Sequence, residues 1–191
     1  MGDTQIFQAL DIDMKSFLSH LECTYCHEIF SSDEPRRTCI KCQKVLFPRY
    51  DLPSAKKSFE SYPLKYRPSN MWRYFEVMPI LDESNVVTLG EGFTPILKAN
   101  RLGEYLGYSS LYIKDEGVNP TASFKARGLS AAVSKAKEFG ITKLTMPSAG
   151  NAAGAMSAYA AKANMEAFLF MPKDVPQANK IEVEMTNGNL I

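Results

Sequence analysis

Residues 144–171 read LTMPSAGNAAGAMSAYAAKANMEAFLFM. A short apolar run, Leu144-Thr145-Met146, leads into a turn of small residues. An alanine-rich helical segment follows from Ala152 to Ala163, then a second apolar run, Ala167-Phe168-Leu169-Phe170-Met171. Strand, helix and strand on short connections make a βαβ unit, and such units build a parallel sheet. The pattern continues in both directions. A helix opens near Pro176, where a missing N–H is tolerated, and runs to about Thr186. Asn187-Gly188 supplies a turn, and Asn189-Leu190-Ile191 begins another strand. Upstream, Leu111-Tyr112-Ile113 has the character of a strand. After Phe124, apolar residues at Leu129, Ala132, Val133, Ala136 and Phe139 keep helical spacing, and Gly140 is the stop signal. The predicted fold is therefore α/β. The sequence stops on an apolar residue as a strand begins, and a strand needs neighbours. The expectation is the N-terminal part of a longer protein.

Two strand-to-helix junctions carry chemistry. The first is Asn119-Pro120-Thr121-Ala122-Ser123-Phe124-Lys125-Ala126-Arg127-Gly128. Ser123 is suited to cap the helix, which puts Lys125 in its first turn. A cation there opposes the helix dipole, and a free amine is the nucleophile that condenses with a carbonyl. An ordinary surface lysine with its stem along the helix would look the same in isolation. The second junction is Pro147-Ser148-Ala149-Gly150-Asn151-Ala152-Ala153-Gly154. Small residues at a helix N-terminus expose backbone N–H groups that suit a carboxylate or phosphate, and Asn151 adds an amide. A close-packed turn would use the same residues.

All four cysteines fall in the first quarter of the chain, as Cys23-x2-Cys26, twelve residues, and Cys39-x2-Cys42. Two such knuckles offer four thiolates, a closed tetrahedral shell for a structural Zn2+; the gap is on the short side for such sites. His20 and His27 flank the first knuckle and read as surface histidines. Neighbouring charges are mixed, so no basic face appears.

The rest of the sequence excludes function classes. Of 191 residues, 45% are apolar and 23% charged, with 11 Gly and 11 Pro, a globular composition. Lys+Arg total 22 against 21 Asp+Glu, a net charge of +1, which leaves no electrostatic footprint for nucleic acid. No apolar stretch approaches the ~18 residues of a membrane span. The opening MGDTQIFQALDIDMK has no signal-peptide pattern. A cytoplasmic protein is expected. Pro53 to Asn70 is polar and punctuated by proline and reads as a linker; the aromatic-rich Met71 to Pro79 reads as a segment docked on the main body.

Taken in order, these segments resemble the threonine synthase family of pyridoxal-phosphate enzymes, within the fold-type II group. NPTASFKARG is similar to that family's N-P-T-G-S-F-K-D-R-G motif and PSAGNAAGA to its S-x-G-N-x-A loop. Thr88-Leu89-Gly90-Glu91-Gly92-Phe93-Thr94-Pro95 resembles its L-G-E-G-x-T-P segment, Trp72-Arg73-Tyr74 its W-R-Y element, and the cysteine pairs followed by RYDL its N-terminal ribbon. The resemblance implies pyridoxal 5'-phosphate as cofactor, with Lys125 forming the Schiff base and shuttling protons, Phe124 beside the cofactor and Asn151 on its 3'-oxygen. It implies that Ser148, Ala149, Gly150, Asn151 and Ala152 receive the substrate carboxylate, with Arg127 and Lys114 as candidates for the substrate's other anionic group. Ala122 and Ala126 stand where the family commonly has Gly and Asp. The implied reaction converts O-phosphohomoserine and water to threonine and phosphate. Alternatives are a threonine/serine dehydratase, a cysteate synthase, or a non-catalytic zinc-ribbon binding module. The implied organisation is a ribbon-like module in 1–47, a linker and docking segment in 48–85, and a partial cofactor-binding α/β region in 86–191. A homodimer is expected for the whole protein. Because the family's glycine-rich phosphate loop is absent before Ile191, this piece is expected to hold the cofactor weakly and to be inactive alone.

Overall fold

A computed structural model describes residues 14–191; the first thirteen residues, where most of the opening stretch read for a signal lies, are outside it. Three antiparallel strands come first: β1 (Leu18–Cys23), β2 (Ile29–Phe30) and β3 (Leu46–Tyr50), in the order β2-β1-β3. The cysteine pairs occupy the turns at their ends.

The stretch read as a linker instead forms helix α1 (Leu52–Ser61). Its proline lies in the first turn, where no N–H is needed. Asp51 caps it, accepting from Ser54 N at 3.1 Å and from the Ser54 hydroxyl at 2.6 Å. Beyond α1, the Arg67 guanidinium is bidentate on the Glu76 carboxylate, at 2.6 Å for both contacts, with neither side chain exposed. The Ser58 hydroxyl of α1 donates to the same carboxylate at 2.8 Å, and Phe17 N donates to the Glu76 carbonyl at 2.9 Å. The three-stranded module, α1 and the aromatic segment are thus joined around one residue. That segment is a 3-10 turn, Met71–Val77, and docks as expected. Met71, Trp72 and Phe75 are buried with Ile80, and Ala131 packs against them.

Strands β4 (Ile96–Lys98) and β5 (Tyr112–Lys114) flank helix α2 (Asn100–Leu106). They pair antiparallel with each other rather than joining the parallel sheet. Ile96, Leu97, Tyr112 and Ile113 are exposed there.

The main body follows the predicted alternation: α3 (Lys125–Glu138), β6 (Lys143–Pro147), α4 (Asn151–Lys162), β7 (Glu166–Phe170), α5 (Gln177–Met185) and β8 (Asn189–Leu190). β6, β7 and β8 are parallel, with Leu144 opposite Ala167 and Leu169 opposite Leu190. Gly140, at φ +71°, ends α3 as predicted, and Ile141 N reaches back to the Ala136 carbonyl at 2.9 Å. The buried stripe of α3 is rotated from the predicted one. Ala126, Leu129, Val133 and Ala136 are buried, Ala132 is exposed, and Ser130 and Ser134 are fully buried. These serines sit inside because Ser134 Oγ accepts from Val87 N at 2.8 Å, and Ser130 Oγ lies 2.7 Å from the Val87 carbonyl and 2.6 Å from the Glu91 carboxylate, two acceptors that share its single proton. The core combines Val87, Ala126, Leu129 and Val133 with Ala153, Met156 and Tyr159 of α4, and with Ala167, Leu169 and Val183. At Gly154 α5 comes very close: a Cβ there would lie 2.1 Å from the Glu182 carboxyl carbon.

Candidate active site

Lys125 is the first residue of α3, with Ser123 Oγ accepting from its N–H at 3.3 Å. Its side chain is half-buried, and the ammonium stands 4.6 Å from the centroid of the Phe124 ring, itself largely exposed. Among the described residues, no hydrogen bond or ion pair engages that ammonium. The preceding residues Thr121 (φ +62°) and Ala122 (φ +51°) are both left-handed, a backbone that L-residues adopt at a cost.

The turn Ser148–Gly150 leaves the C-terminal end of β6, the side on which open α/β sheets bind ligands. It is held by Ser148 N on the Phe170 carbonyl at 3.1 Å and by Asn179 Nδ2 on the Ala149 carbonyl at 2.8 Å. Asn151 and Ala152 then open α4 with N–H groups that have no helical partner by position. The Asn151 side chain is exposed and, among the described residues, makes no hydrogen bond. Ala126 and Ala153, next to these two openings, are fully buried in one core cluster, and α4 packs against both α3 and the turn Pro120–Ala122. The two junctions are therefore neighbours in space.

A cleft of about 730 Å3 meets α3 at Arg127 and is lined also by Arg73, Phe93, Thr94, Lys114 and Glu116 among others, with neither Lys125 nor Asn151 in its wall. Arg127 and Lys114, the candidates for an anionic group, already have partners here. Arg127 is bidentate on Glu116, with Nε and Nη2 each at 2.7 Å. Lys114 Nζ donates to the Thr94 carbonyl at 2.6 Å and to its hydroxyl. Glu116 also accepts from Thr94 Oγ1 at 2.6 Å and Asn119 Nδ2 at 2.9 Å. Its hydrogen bonds with Arg127 and Thr94 hold the carboxyl down at about 2.

A second carboxylate, Glu91, is fully buried. It accepts from Trp72 Nε1 at 2.9 Å, Ser130 Oγ at 2.6 Å, Tyr159 Oη at 2.6 Å and Leu89 N at 3.0 Å. Burial pushes this carboxyl up, and the donors more than offset it, leaving it below the usual range. Gly92 follows at φ +95°, where a Cβ would lie 2.6 Å from Met71 N. The sequence offers Glu91 as one letter of a motif and Glu116 as one charge after two others, Lys114 and Asp115. Their partners lie up to 68 residues away for Glu91, and only the fold assembles them.

In the N-terminal module the four thiols converge. Cys23 Sγ is 3.4 Å from Cys42 Sγ; Cys26 Sγ is 3.5 Å from both Cys39 Sγ and Cys42 Sγ. All four lie within 4.8 Å of one another. Four sulfurs at 2.3 Å from a tetrahedral zinc ion would be roughly 3.8 Å apart, so the group could bind zinc. The Tyr25 N–H donates to Cys23 Sγ at 3.5 Å, as suits a thiolate. His27 is engaged with Glu22 at 2.8 Å, away from the thiols' ligand set.

A sequence profile of the pyridoxal-phosphate dependent enzyme family matches residues 87–191, the region holding both helix openings. The chain belongs to the pyridoxal-phosphate dependent enzymes. Among curated members of this family, the chain is 37% identical to the threonine synthase of Methanosarcina acetivorans over 169 residues, covering 88% of this chain and 41% of that protein. It is 35% identical to the threonine synthase of Methanocaldococcus jannaschii over 166 residues, covering 87% and 41%. These relatives bear out the resemblance to threonine synthases that the motifs carried. The chain spans about 41% of the length of these relatives. A solved structure of the processed form of threonine deaminase isoform 2 from Solanum lycopersicum is 29% identical, covering 51% of this chain and 27% of that one, with a TM-score of 0.46. Among the described residues, no helix is long and apolar enough to cross a membrane.

Proposed function

We propose that this chain contributes the Lys125 half of a pyridoxal-phosphate site that converts O-phosphohomoserine and water to threonine and phosphate. The observation that carries the reading is the pairing of Lys125, an amine at one helix mouth, with Asn151, an amide at the neighbouring mouth, neither engaged by a hydrogen bond or ion pair among the described residues. These residues fit a planar aldehyde cofactor: Lys125 would hold its aldehyde carbon, Asn151 its ring oxygen, and Phe124 would flank the ring. When bound, the cofactor supplies an electron sink that makes the substrate's α-carbon proton acidic. The chain's own residues would do the rest. Lys125 would take and return protons at the α-carbon and its neighbour. Within the turn Ser148–Ala152, the N–H groups of Ala149, Asn151 and Ala152 would offer the substrate carboxylate a cradle, while the Ser148 and Gly150 N–H groups, held by the Phe170 carbonyl and by Ser148 Oγ, would fix its shape.

Replacing Lys125 by Ala in the whole enzyme should abolish the visible absorbance of the bound cofactor and the borohydride-fixed mass on the Lys125 peptide. Activity should fall by roughly 10²–10⁴-fold or more. Persistence of the fixed mass on another lysine would sink the assignment. Release of phosphate with threonine from phosphohomoserine, rather than ammonia from threonine, separates this reaction from that of a dehydratase.

We also infer that Cys23, Cys26, Cys39 and Cys42 hold a structural zinc ion. All four positions are taken by sulfur, leaving none for substrate. Metal analysis should return one zinc per chain, and Cys39→Ser should lose it and loosen the module; a zinc-free protein of full stability would count against the site.

A further inference from the structure

We infer that Glu116 is a positioning residue for the Lys125 amine, acting as a clamp across the turn that presents it. The inference rests on the reading of Lys125 given above. Residues 119 to 127 leave the Glu116 carboxylate and return to it. Asn119 Nδ2 holds one end at 2.9 Å, and Arg127 Nε and Nη2 hold the other at 2.7 Å each. Between these ends are the two successive left-handed residues, Thr121 and Ala122, and then Lys125.

Strained backbone persists only where its surroundings over-determine it. Thr121 does not supply that restraint, because its Oγ1 is buried without a partner among the described residues. The clamp is also anchored from outside the turn: Thr94 Oγ1 donates to Glu116 at 2.6 Å, and Gly92 N donates to Asn119 Oδ1 at 3.0 Å. Arg127 is two residues past Lys125 on the same first helical turn, so its bidentate bond fixes how that turn is rotated. With Ala126 beside the lysine, no carboxylate adjacent in sequence performs this task.

Glu116→Gln removes an acceptor and turns an amide N–H toward donors. Arg127→Lys keeps the charge and loses the fork. In cofactor-free enzyme, an amine-acylating reagent read by peptide mass spectrometry reports the accessibility of Lys125 against exposed Lys143 and Lys162. Both variants should change the relative rate at Lys125 by about fivefold or more and leave the two controls unchanged. Adding Ala122→Gly to Glu116→Gln should return the rate toward that of the parent, because the left-handed turn no longer needs holding. An unchanged Lys125 rate in either folded variant, even with a lowered melting temperature, would reduce the clamp to ordinary structural support and overturn the inference. Attachment of the cofactor to a different lysine in the parent enzyme would instead remove the functional reading and leave the labelling result standing.

Discussion

Ala122, at φ +51°, sits in backbone that glycine adopts freely and alanine does not. The sequence flagged this position as a departure from the family's glycine but could not say why glycine belongs there; the dihedral supplies the reason. Ala122→Gly should therefore stabilise the protein by about 0.5–1 kcal/mol, the relief of left-handed strain exceeding glycine's added freedom in the unfolded chain. Chemical denaturation of the two proteins checks it, and a loss of stability would mean the turn is not strained. Lys125, Asn151 and the four cysteines were legible as candidates because each belongs to a local pattern with a chemical requirement. Glu91 and Glu116 were not, because a buried carboxylate is defined by its donors, and Trp72, Ser130, Tyr159, Thr94 and Arg127 come from separate elements.

Among the elements, the repeating strands and helices after residue 124 were readable from periodicity alone, since each buries one face against its neighbour. Strand β4 and helix α2 were not read at all, and two other elements were misread. The rotation of α3 was missed because Ser130 and Ser134 count as polar in sequence yet bond inward to Val87 and, for Ser130, Glu91. Helix α1 was taken for a linker because Pro53 reads as a breaker unless Asp51 is recognised as its cap. What secures α1 to the body is again non-local. The Arg67 guanidinium is bidentate on Glu76 and stacks on Phe59 and Tyr62, with centroid distances of 4.6 Å and 5.1 Å. Arg67→Met would strand the Glu76 carboxylate with only part of its donor set. A loss of about 3–5 kcal/mol is expected, read by urea unfolding, whereas a change below 1 kcal/mol would show the pair to be dispensable.

At the scale of the molecule, stability should follow the ionisation of a few carboxyls. Glu91, Glu76 and Glu116 are held below the ordinary range in the fold, Glu116 at about 2 against 4.5. Their contribution is complete above the unfolded value and disappears as pH falls through the folded one, so the protein should weaken between about 4.5 and 2. Glu182 behaves oppositely. Burial against α4 raises its carboxyl, so its contribution is complete in acid and is lost as pH rises through the elevated value. Glu182→Gln should accordingly be more stable than the parent at pH near 7 and indistinguishable from it well below the ordinary carboxyl range, as paired denaturation curves would reveal.

The small β4–β5 ladder has a practical consequence. Each of its strands has only one neighbour among the described residues, and Ile96, Leu97, Tyr112 and Ile113 face outward. Open ladder edges beside greasy side chains recruit further strands from whatever polypeptide is nearby. Concentrated preparations of this chain should therefore become sticky at that corner first, binding hydrophobic dyes and clumping, while the alanine-lined interior around Tyr159 stays intact.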